Sequence, residues 1–275
     1  MKKNLDVDTV NSFGDERSRF DQSELSDTEA NRIFDEYFSV FPWVKLPKDA
    51  TGFDMGCGSG RWAKLMAPRV GHLHCIDPSS ALDVAKLALS SAANVSFHCA
   101  SVEDHPLPPN SQDFGYSLGV LHHVPDTAGA IVACAAMLKP GAPFQVYLYY
   151  AFENRSPLFK LTWRCSDLLR RVVCKLPSRL KHPVTDVLAA LVYFPLARFS
   201  QAAECLGVKV SSIPLSYYRN HSFYTMRTDS RDRFGTPLEK RFTRKEVAAM
   251  LDAAGLGDVL FSEQAPHWCA VGIKR

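Results

Sequence analysis

Glycine occupies every second position of Gly56-Cys57-Gly58-Ser59-Gly60, directly behind the short apolar run Gly52 to Met55, and no other stretch limits the fold as tightly. Without a Cβ the backbone can reverse sharply and a ligand can approach where a side chain would collide. The stretch therefore reads as a strand end turning into a helix. Its third glycine comes one residue earlier than in the GxGxxG loop of dinucleotide-binding sheets, which argues against a nicotinamide site. A tight strand-to-helix turn with no ligand is compatible with the same spacing.

Residues 51 to 150 alternate short apolar runs with helical patterns: Gly52 to Met55 then Trp62 to Val70, His72 to Ile76 then Ala81 to Leu89, Val95 to Cys99, Phe114 to Leu118 then Thr127 to Leu138, and Phe144 to Tyr150. That rhythm predicts a parallel sheet covered by helices on both faces. Residues 1–25 read as polar and irregular, and Ser26-Asp27-Thr28-Glu29 as a capping box opening a leader helix with Ile33, Phe34, Tyr37 and Phe38 on one side. Phe13, Phe20 and Phe38 fit either a lid over a ligand or packing of that helix. After Tyr150 come two helical stretches, Leu158 to Leu176 and Val184 to Leu206, and an aromatic, polar segment. A helix capped by Thr243 and two strands, Val259 to Glu263 and His267 to Ile273, spaced for a hairpin, follow. The expected organisation is a tail and leader helix (1–49), an α/β core (50–150), a mostly helical insertion (151–242), and a helix and strand pair completing the core (243–275).

The 275 residues, 46% hydrophobic and 22% charged, exclude a disordered chain, and a net charge of +3 selects no partner. The charge is uneven: residues 155–213 hold ten Lys and Arg against three Asp and Glu, a local balance of +7. Eight cysteines without a CxxC pair predict a reducing, cytoplasmic setting and argue against a zinc site or a disulfide framework. No apolar stretch follows Lys2 and Lys3, so no signal peptide is expected. The longest apolar run, Val187 to Ala197, has eleven residues, against about 20 needed to span a bilayer. Seventeen residues past Gly60, Asp77-Pro78 ends the run Leu73 to Ile76. A carboxylate at the tip of a second parallel strand can accept from both hydroxyls of a ribose, or it can cap a helix at Ser79.

Taken in order, these residues resemble the class I S-adenosylmethionine-dependent methyltransferases, in the group of ubiquinone-type and small-molecule methyltransferases. Asp54-x-Gly56-x-Gly58-x-Gly60 is similar to the first motif of that family and Asp77 to the second. Ala100 to Asp104 with Leu107-Pro108 resembles the third-strand loop, Asp113 to Asp126 the fourth-strand motif, and Leu138-Lys139-Pro140-Gly141 the turn into strand five. Two positions depart: Ser101 stands where relatives often carry Asp, and Ala142 where a second glycine is usual. The resemblance implies a Rossmann-like seven-stranded sheet, mostly parallel with a reversed last strand, plus a helical insertion after strand five. It implies S-adenosylmethionine as cofactor, with Asp54 at its amino-acid end and Gly56, Cys57, Gly58 and Gly60 along it. Asp77 with Pro78 falls at the ribose, Ser101, Val102 and Glu103 at the adenine, and Leu118 and Gly119 beside the sulfonium methyl.

Methyl transfer needs a dry site and an acceptor atom held about 3 Å from the carbon, and a hydroxyl acceptor also needs its proton removed. His122 and His123, after strand four, are candidate bases, with capping or packing of the next helix as the alternative. His221 and Tyr224 are candidate acceptor contacts in a segment placed like the family's acceptor roof; the alternative is a surface loop packed on the sheet. The expected reaction is methylation of a small-molecule or glycan acceptor at oxygen. The competing functions are methylation of RNA or protein docked on the basic insertion, and a cofactor-binding scaffold without catalysis. The insertion holds a single tryptophan, Trp163, and the Asn/Asp-Pro-Pro-aromatic signature of exocyclic-amine methyltransferases is replaced by Leu118-Gly119-Val120-Leu121, so no nucleic-acid partner is expected. The insertion's apolar positions Leu158, Leu161, Leu168, Leu169, Val172 and Val173 fit a face packed as a lid, or a face lying on an anionic membrane with access to a lipid-linked acceptor.

Overall fold

A computed structural model describes residues 4–153, 155–210 and 213–275. It divides into an α/β unit, residues 1–21, 30–151 and 238–275, and a helical unit, residues 22–29 and 152–237. In the α/β unit five parallel strands, β1 (Thr51–Met55), β2 (His72–Ile76), β3 (Val95–His98), β4 (Phe114–Leu118) and β5 (Pro143–Tyr147), are joined by β6 (Leu256–Phe261) and β7 (Cys269–Lys274). Their order is β3-β2-β1-β4-β5-β7-β6, and β7 runs antiparallel to both neighbours, with Phe144 opposite Gly272 and Leu256 opposite Lys274. This is the seven-stranded sheet with a reversed last strand that the motifs imply. Strand order reverses between β1 and β4, which opens a crevice at their carboxyl ends, the usual ligand position in such sheets.

The unit's first helices are α1 (Val7–Arg19), α2 (Asp27–Tyr37), α3 (Ala63–Met66), α4 (Ala81–Ala88) and α5 (Thr127–Met137). Alternation along the strands sends Phe53, Met55, Phe144 and Val146 into one core with Ile131 and Met137, and Leu73, Cys75, Phe114 and Tyr116 into another with Ile33, Phe34 and Phe38. At the β3 edge, His74 Nδ1 lies 3.1 Å from His98 Nε2. Burial, with His72 and His98 close by, pushes His74 down to about 4.

The beginning of the chain differs from its reading as irregular, because α1 covers residues 7–19. Asp6 caps it, accepting from Thr9 N at 2.9 Å, and its buried positions are Thr9, Ser12, Gly14 and Glu16. A buried face made of small and polar residues has helical spacing but no apolar period, so pattern reading passes over it. The helix expected from Trp62 to Val70 is also shorter: α3 ends at Met66, and Pro68 carries the chain through a 3-10 turn.

The helical unit contains α6 (Pro157–Val173), α7 (Ser178–Leu188), a π-helical turn at Ala189–Tyr193, α8 (Phe194–Cys205) and α9 (Phe223–Gly235). The second helical stretch thus begins before its expected start at Val184, with Pro183 inside α7. The wide turn precedes Pro195, whose missing N–H leaves the Leu191 carbonyl without its usual partner. The aromatic, polar segment that follows contains α9, capped by Ser222 Oγ on Thr225 N at 3.2 Å. Only half of the expected capping box forms at α2: Ser26 Oγ accepts from Glu29 N, while the Glu29 carboxylate accepts from Ser222 N and Thr225 Oγ1, both at 2.9 Å. A small core of Val173, Tyr193, Ala197, Met226 and Phe234 is bordered by buried charge. Arg170 bonds Asp167 at 2.7 Å and the carbonyls of Thr236 and Pro237 at 2.9 Å, and Lys181 reaches the Gly235 carbonyl at 3.3 Å. Of the six apolar positions singled out on α6, only Val173 is buried. The chain then re-enters the α/β unit through α10 (Arg244–Ala253), which carries the full Thr243 and Glu246 capping box.

Candidate functional site

The carboxyl end of β1 brings Asp54 and the glycine loop to the crevice. Gly56 N and Cys57 N both donate to the Ile76 carbonyl, at 2.7 and 3.2 Å, and Gly60 N returns to the Cys57 carbonyl at 2.9 Å. Gly56 has φ +80°, and a Cβ there would stand 2.4 Å from a methyl of Val120, so the turn and the fourth-strand loop fit together only with glycine. Gly58 N donates to Asp77 Oδ2 at 2.9 Å, tying the loop to the end of β2. Cys57 is buried, and its hydrogen bond with Cys75 together with burial pushes the thiol up, so it is a neutral part of the wall.

Asp54 is the group whose environment most demands a partner. It is fully buried, and neither carboxylate oxygen has a hydrogen-bond partner in the protein. Burial pushes its pKa up to about 8; the neighbouring Tyr116 hydroxyl eases this without closing a well-formed hydrogen bond, and Asp77 adds to it. A buried acceptor without a donor is expensive unless a ligand cation or donor meets it. Asp77, by contrast, is occupied: besides Gly58 N it accepts from Ser79 N at 2.8 Å and Ser79 Oγ at 2.6 Å. The capping alternative for Asp77 is therefore what its protein contacts display, with Pro78 inside that turn.

Ser101 donates to Asp104 Oδ2 at 3.1 Å, and Val102 is buried in the core. Glu103 accepts from Asn4 N at 3.1 Å. The Asn4 side chain makes a two-way bond with Asp126, donating to its carbonyl and accepting from its N–H, each at 2.7 Å. Leu118 is buried at the end of β4, and Gly119, at φ +78°, donates to the Tyr147 carbonyl at 3.1 Å. Over these loops lies α1. A Cβ at Gly14 would stand 2.5 Å from Ser80 Oγ, a Cβ at Gly58 would stand 3.6 Å from Arg17 Nε, and Phe13 packs edge-on against His123 at 4.9 Å. The segment from Asn4 to Arg17 thus touches the loops after β1, β2, β3 and β4. Only Phe13 carried a signal for it in the sequence.

The two histidines after β4 stand in different surroundings. His123 Nδ1 lies 2.6 Å from the Leu238 carbonyl, which makes that nitrogen the donor and leaves Nε2 as the acceptor. His122 is fully buried, and neither of its ring nitrogens has a hydrogen-bond partner in the protein. Its ring lies 3.9 Å from that of Tyr149, and the Arg241 guanidinium lies over the Tyr149 ring at 5.0 Å from its centre. Burial, then His123 and Arg241, hold His122 well below the usual histidine range, so it is neutral at physiological pH and able to accept a proton or a hydrogen bond. Tyr149 and Arg241 carried no motif. His221 and Tyr224 belong to the helical unit, where His221 Nδ1 bonds the Tyr217 carbonyl at 3.0 Å and the Tyr224 hydroxyl accepts from Gln22 N at 2.9 Å. Both contacts hold that unit together. Among the described residues, the eight cysteines are free, no group of His, Cys, Asp and Glu is placed to hold a metal ion, and no helix is long and apolar enough to cross a membrane.

A family model described as a methyltransferase domain matches residues 53–146. A ubiquinone biosynthesis O-methyltransferase of Marinobacter nauticus is 38% identical over 109 residues, covering 38% of this chain and 44% of that protein, so the chain spans less than half the length of this relative. A ubiquinone biosynthesis O-methyltransferase of Xanthomonas campestris pv. campestris is 32% identical over 190 residues, covering 68% of this chain and 74% of that protein. In fold, the chain is similar to an O-methyltransferase family protein from Burkholderia thailandensis, with a TM-score of 0.55 at 12% identity over 94% of this chain and 59% of that one.

Proposed function

Because the chain belongs to the class I S-adenosylmethionine-dependent methyltransferases, we propose that it is an enzyme transferring a methyl group from S-adenosylmethionine to an oxygen of a small-molecule acceptor. The observation that carries this is Asp54, a buried carboxylate without a protein donor at the mouth of the glycine loop. The ammonium group at the amino-acid end of the cofactor is the cation such a carboxylate lacks. Gly56 to Gly60 keep side chains out of its path, and Leu118 and Gly119 line the methyl end. Asp77 and Pro78 face the ribose and Ser101, Val102 and Glu103 the adenine; Asp77 keeps lone pairs for a ribose hydroxyl beside its three protein donors. When bound, the cofactor supplies an electrophilic sulfonium methyl whose transfer to oxygen leaves a neutral thioether and releases one proton.

His122 is the group suited to take that proton. It is neutral and dry, and neither of its ring nitrogens bonds the protein, whereas His123 and His221 are each tied to a carbonyl through Nδ1 and the Tyr224 hydroxyl accepts from Gln22 N. Its depressed pKa makes it a weak base, so it serves best by accepting a hydrogen bond from the acceptor hydroxyl as the O–C bond forms. The relatives named for ubiquinone biosynthesis support a small-molecule acceptor. Peripheral membrane contact through residues 155–213, with a lipid-linked or glycan acceptor, is the finer form of the reading.

Calorimetry tests the cofactor assignment through protons. Asp54 is protonated at neutral pH when alone and ionised when paired with an ammonium, so S-adenosylhomocysteine binding should release close to one proton. The measured enthalpy should then depend on the buffer's ionisation enthalpy. Asp54→Asn should remove that dependence and weaken binding by about tenfold or more, the loss of one charge-assisted hydrogen bond. Unchanged affinity and proton release in the variant would remove Asp54 from the site. His122→Ala should lower kcat with little change in cofactor affinity.

A further inference from the structure

Helix α6 wears its apolar stripe on the outside. Leu158, Leu161, Cys165, Leu168 and Val172 recur at alternating steps of three and four, the spacing of a single helix face, and every one is exposed. The opposite face turns inward with Asp167, Arg170 and Val173. The helical stretch after it repeats the arrangement: Leu180, Val187, Leu191, Phe194 and Phe199 are exposed, while Lys181, Thr185, Ala189, Tyr193 and Ala197 are buried. Two helices of one unit thus present bulky apolar side chains to solvent, far more than the scattered single residues expected on a surface.

Charge identifies what covers this face. Lys160, Arg164 and Arg171 flank the α6 stripe, Arg171 also bonding Asp167 at 2.9 Å, Lys175 follows the helix end, Arg179 stands at the start of α7, and residues 155–213 carry a balance of +7. Two copies meeting through this face would bring their positive rims together. Exposed leucine, valine and phenylalanine edged by lysine and arginine is instead the surface that inserts at the boundary of headgroups and acyl chains in an anionic bilayer. We propose that the outer faces of α6 and of the Ser178–Cys205 stretch form a binding surface for anionic lipid membranes. Arg170 is not part of it, since its guanidinium is buried against Asp167 and two carbonyls. This deepens the membrane contact put forward with the methyltransferase reading, yet it stands on the helical unit's own residues.

Sedimentation with vesicles of phosphatidylcholine alone, and of phosphatidylcholine with phosphatidylglycerol, tests it on the full chain without cofactor. The wild type should pellet with the anionic vesicles and leave the neutral ones, and raising salt should release it as screening shortens. The combined variant Leu161→Ser, Leu168→Ser and Val172→Ser changes only exposed positions and should lose vesicle binding by about tenfold or more, given the area of apolar surface removed. Lys160→Gln, Arg164→Gln and Lys175→Gln together should weaken binding to anionic vesicles by a similar factor. Leu260→Ser, an exposed leucine on β6, should bind as the wild type does. Equal binding to neutral and anionic vesicles, full binding by the serine variant, or a dimer that dissociates in the serine variant while no vesicle is bound would each overturn the proposal. S-adenosylhomocysteine affinity, measured in parallel, keeps the two readings apart: vesicle binding without cofactor binding would sink the methyltransferase assignment alone.

Discussion

In the α/β unit the bulkiest side chains withdrawn from solvent are hydrophobic, Phe53, Phe114, Tyr116 and Phe144 among them, whereas in the helical unit the bulkiest is Arg231. The leucines of the two units show the opposite trend: Leu73, Leu121, Leu138 and Leu251 are buried in the first, while Leu158, Leu161, Leu168 and Leu191 are exposed in the second. A parallel sheet needs cover on both faces, and covering it puts most of its apolar side chains inside. The helical unit closes its interior through charge-assisted bonds, Asp167 with Arg170 and Lys181 with a carbonyl, and this leaves its apolar stripes outside. Periodicity therefore locates a helix face reliably, but the direction in which the face points depends on what the opposite side can satisfy.

Variants can break this contrast. Phe144→Ala should destabilise the protein most, by about 3–5 kcal/mol in denaturant unfolding, because it leaves a void between packed layers. If the helical unit is held by charge, Asp167→Ala should approach that figure, at about 3 kcal/mol, by leaving the Arg170 guanidinium buried and uncompensated. Replacing the pair together, Asp167→Leu with Arg170→Met, should then recover most of the loss, and a single variant as stable as the wild type would dissolve the distinction between the units. Asn4→Ala removes bonds to Asp126 and should lower stability by about 1–2 kcal/mol. A pH-confined effect belongs to His74: its folded pKa is depressed, so its contribution is present above the unfolded value and is lost as pH falls toward about 4. His74→Gln should flatten the acid limb of the stability profile over that range. Smallest of all, Leu168→Ser should change stability by no more than about 0.5 kcal/mol, since the residue is already in water.

The parts legible in the sequence were those written in neighbouring residues. The glycine loop, Asp54 and Asp77 sit at strand ends that local alternation reveals, and the resemblance carried by these motifs extended to the number and sense of the strands. What sequence reading missed joins distant residues or buries polar ones. Helix α1 escaped because Thr9, Ser12, Gly14 and Glu16 form its inner face, and α9 because Thr228, Ser230 and Arg231 do the same there. Asn4 with Glu103 and Asp126, and His122 with Tyr149 and Arg241, are constellations assembled by the fold, with no spacing to announce them. The Leu238 carbonyl that fixes the His123 ring likewise lies 115 residues further along the chain.

The place of β7 has a consequence for biosynthesis. It follows every other strand in the chain, yet it lies inside the sheet, paired to β5 on one side and β6 on the other. While a ribosome is still making it, β5 and β6 have no strand between them, and each presents an open row of backbone donors and acceptors. Such rows can pair with other nascent chains, and while β6 meets β7 close by in the chain, the contacts that close the β5 row, Pro143 with Ile273 to Tyr147 with Cys269, join distant residues and so form late. Strand β7 is the one that seals the sheet, and until it arrives the β5 edge stays open to pairing with another chain.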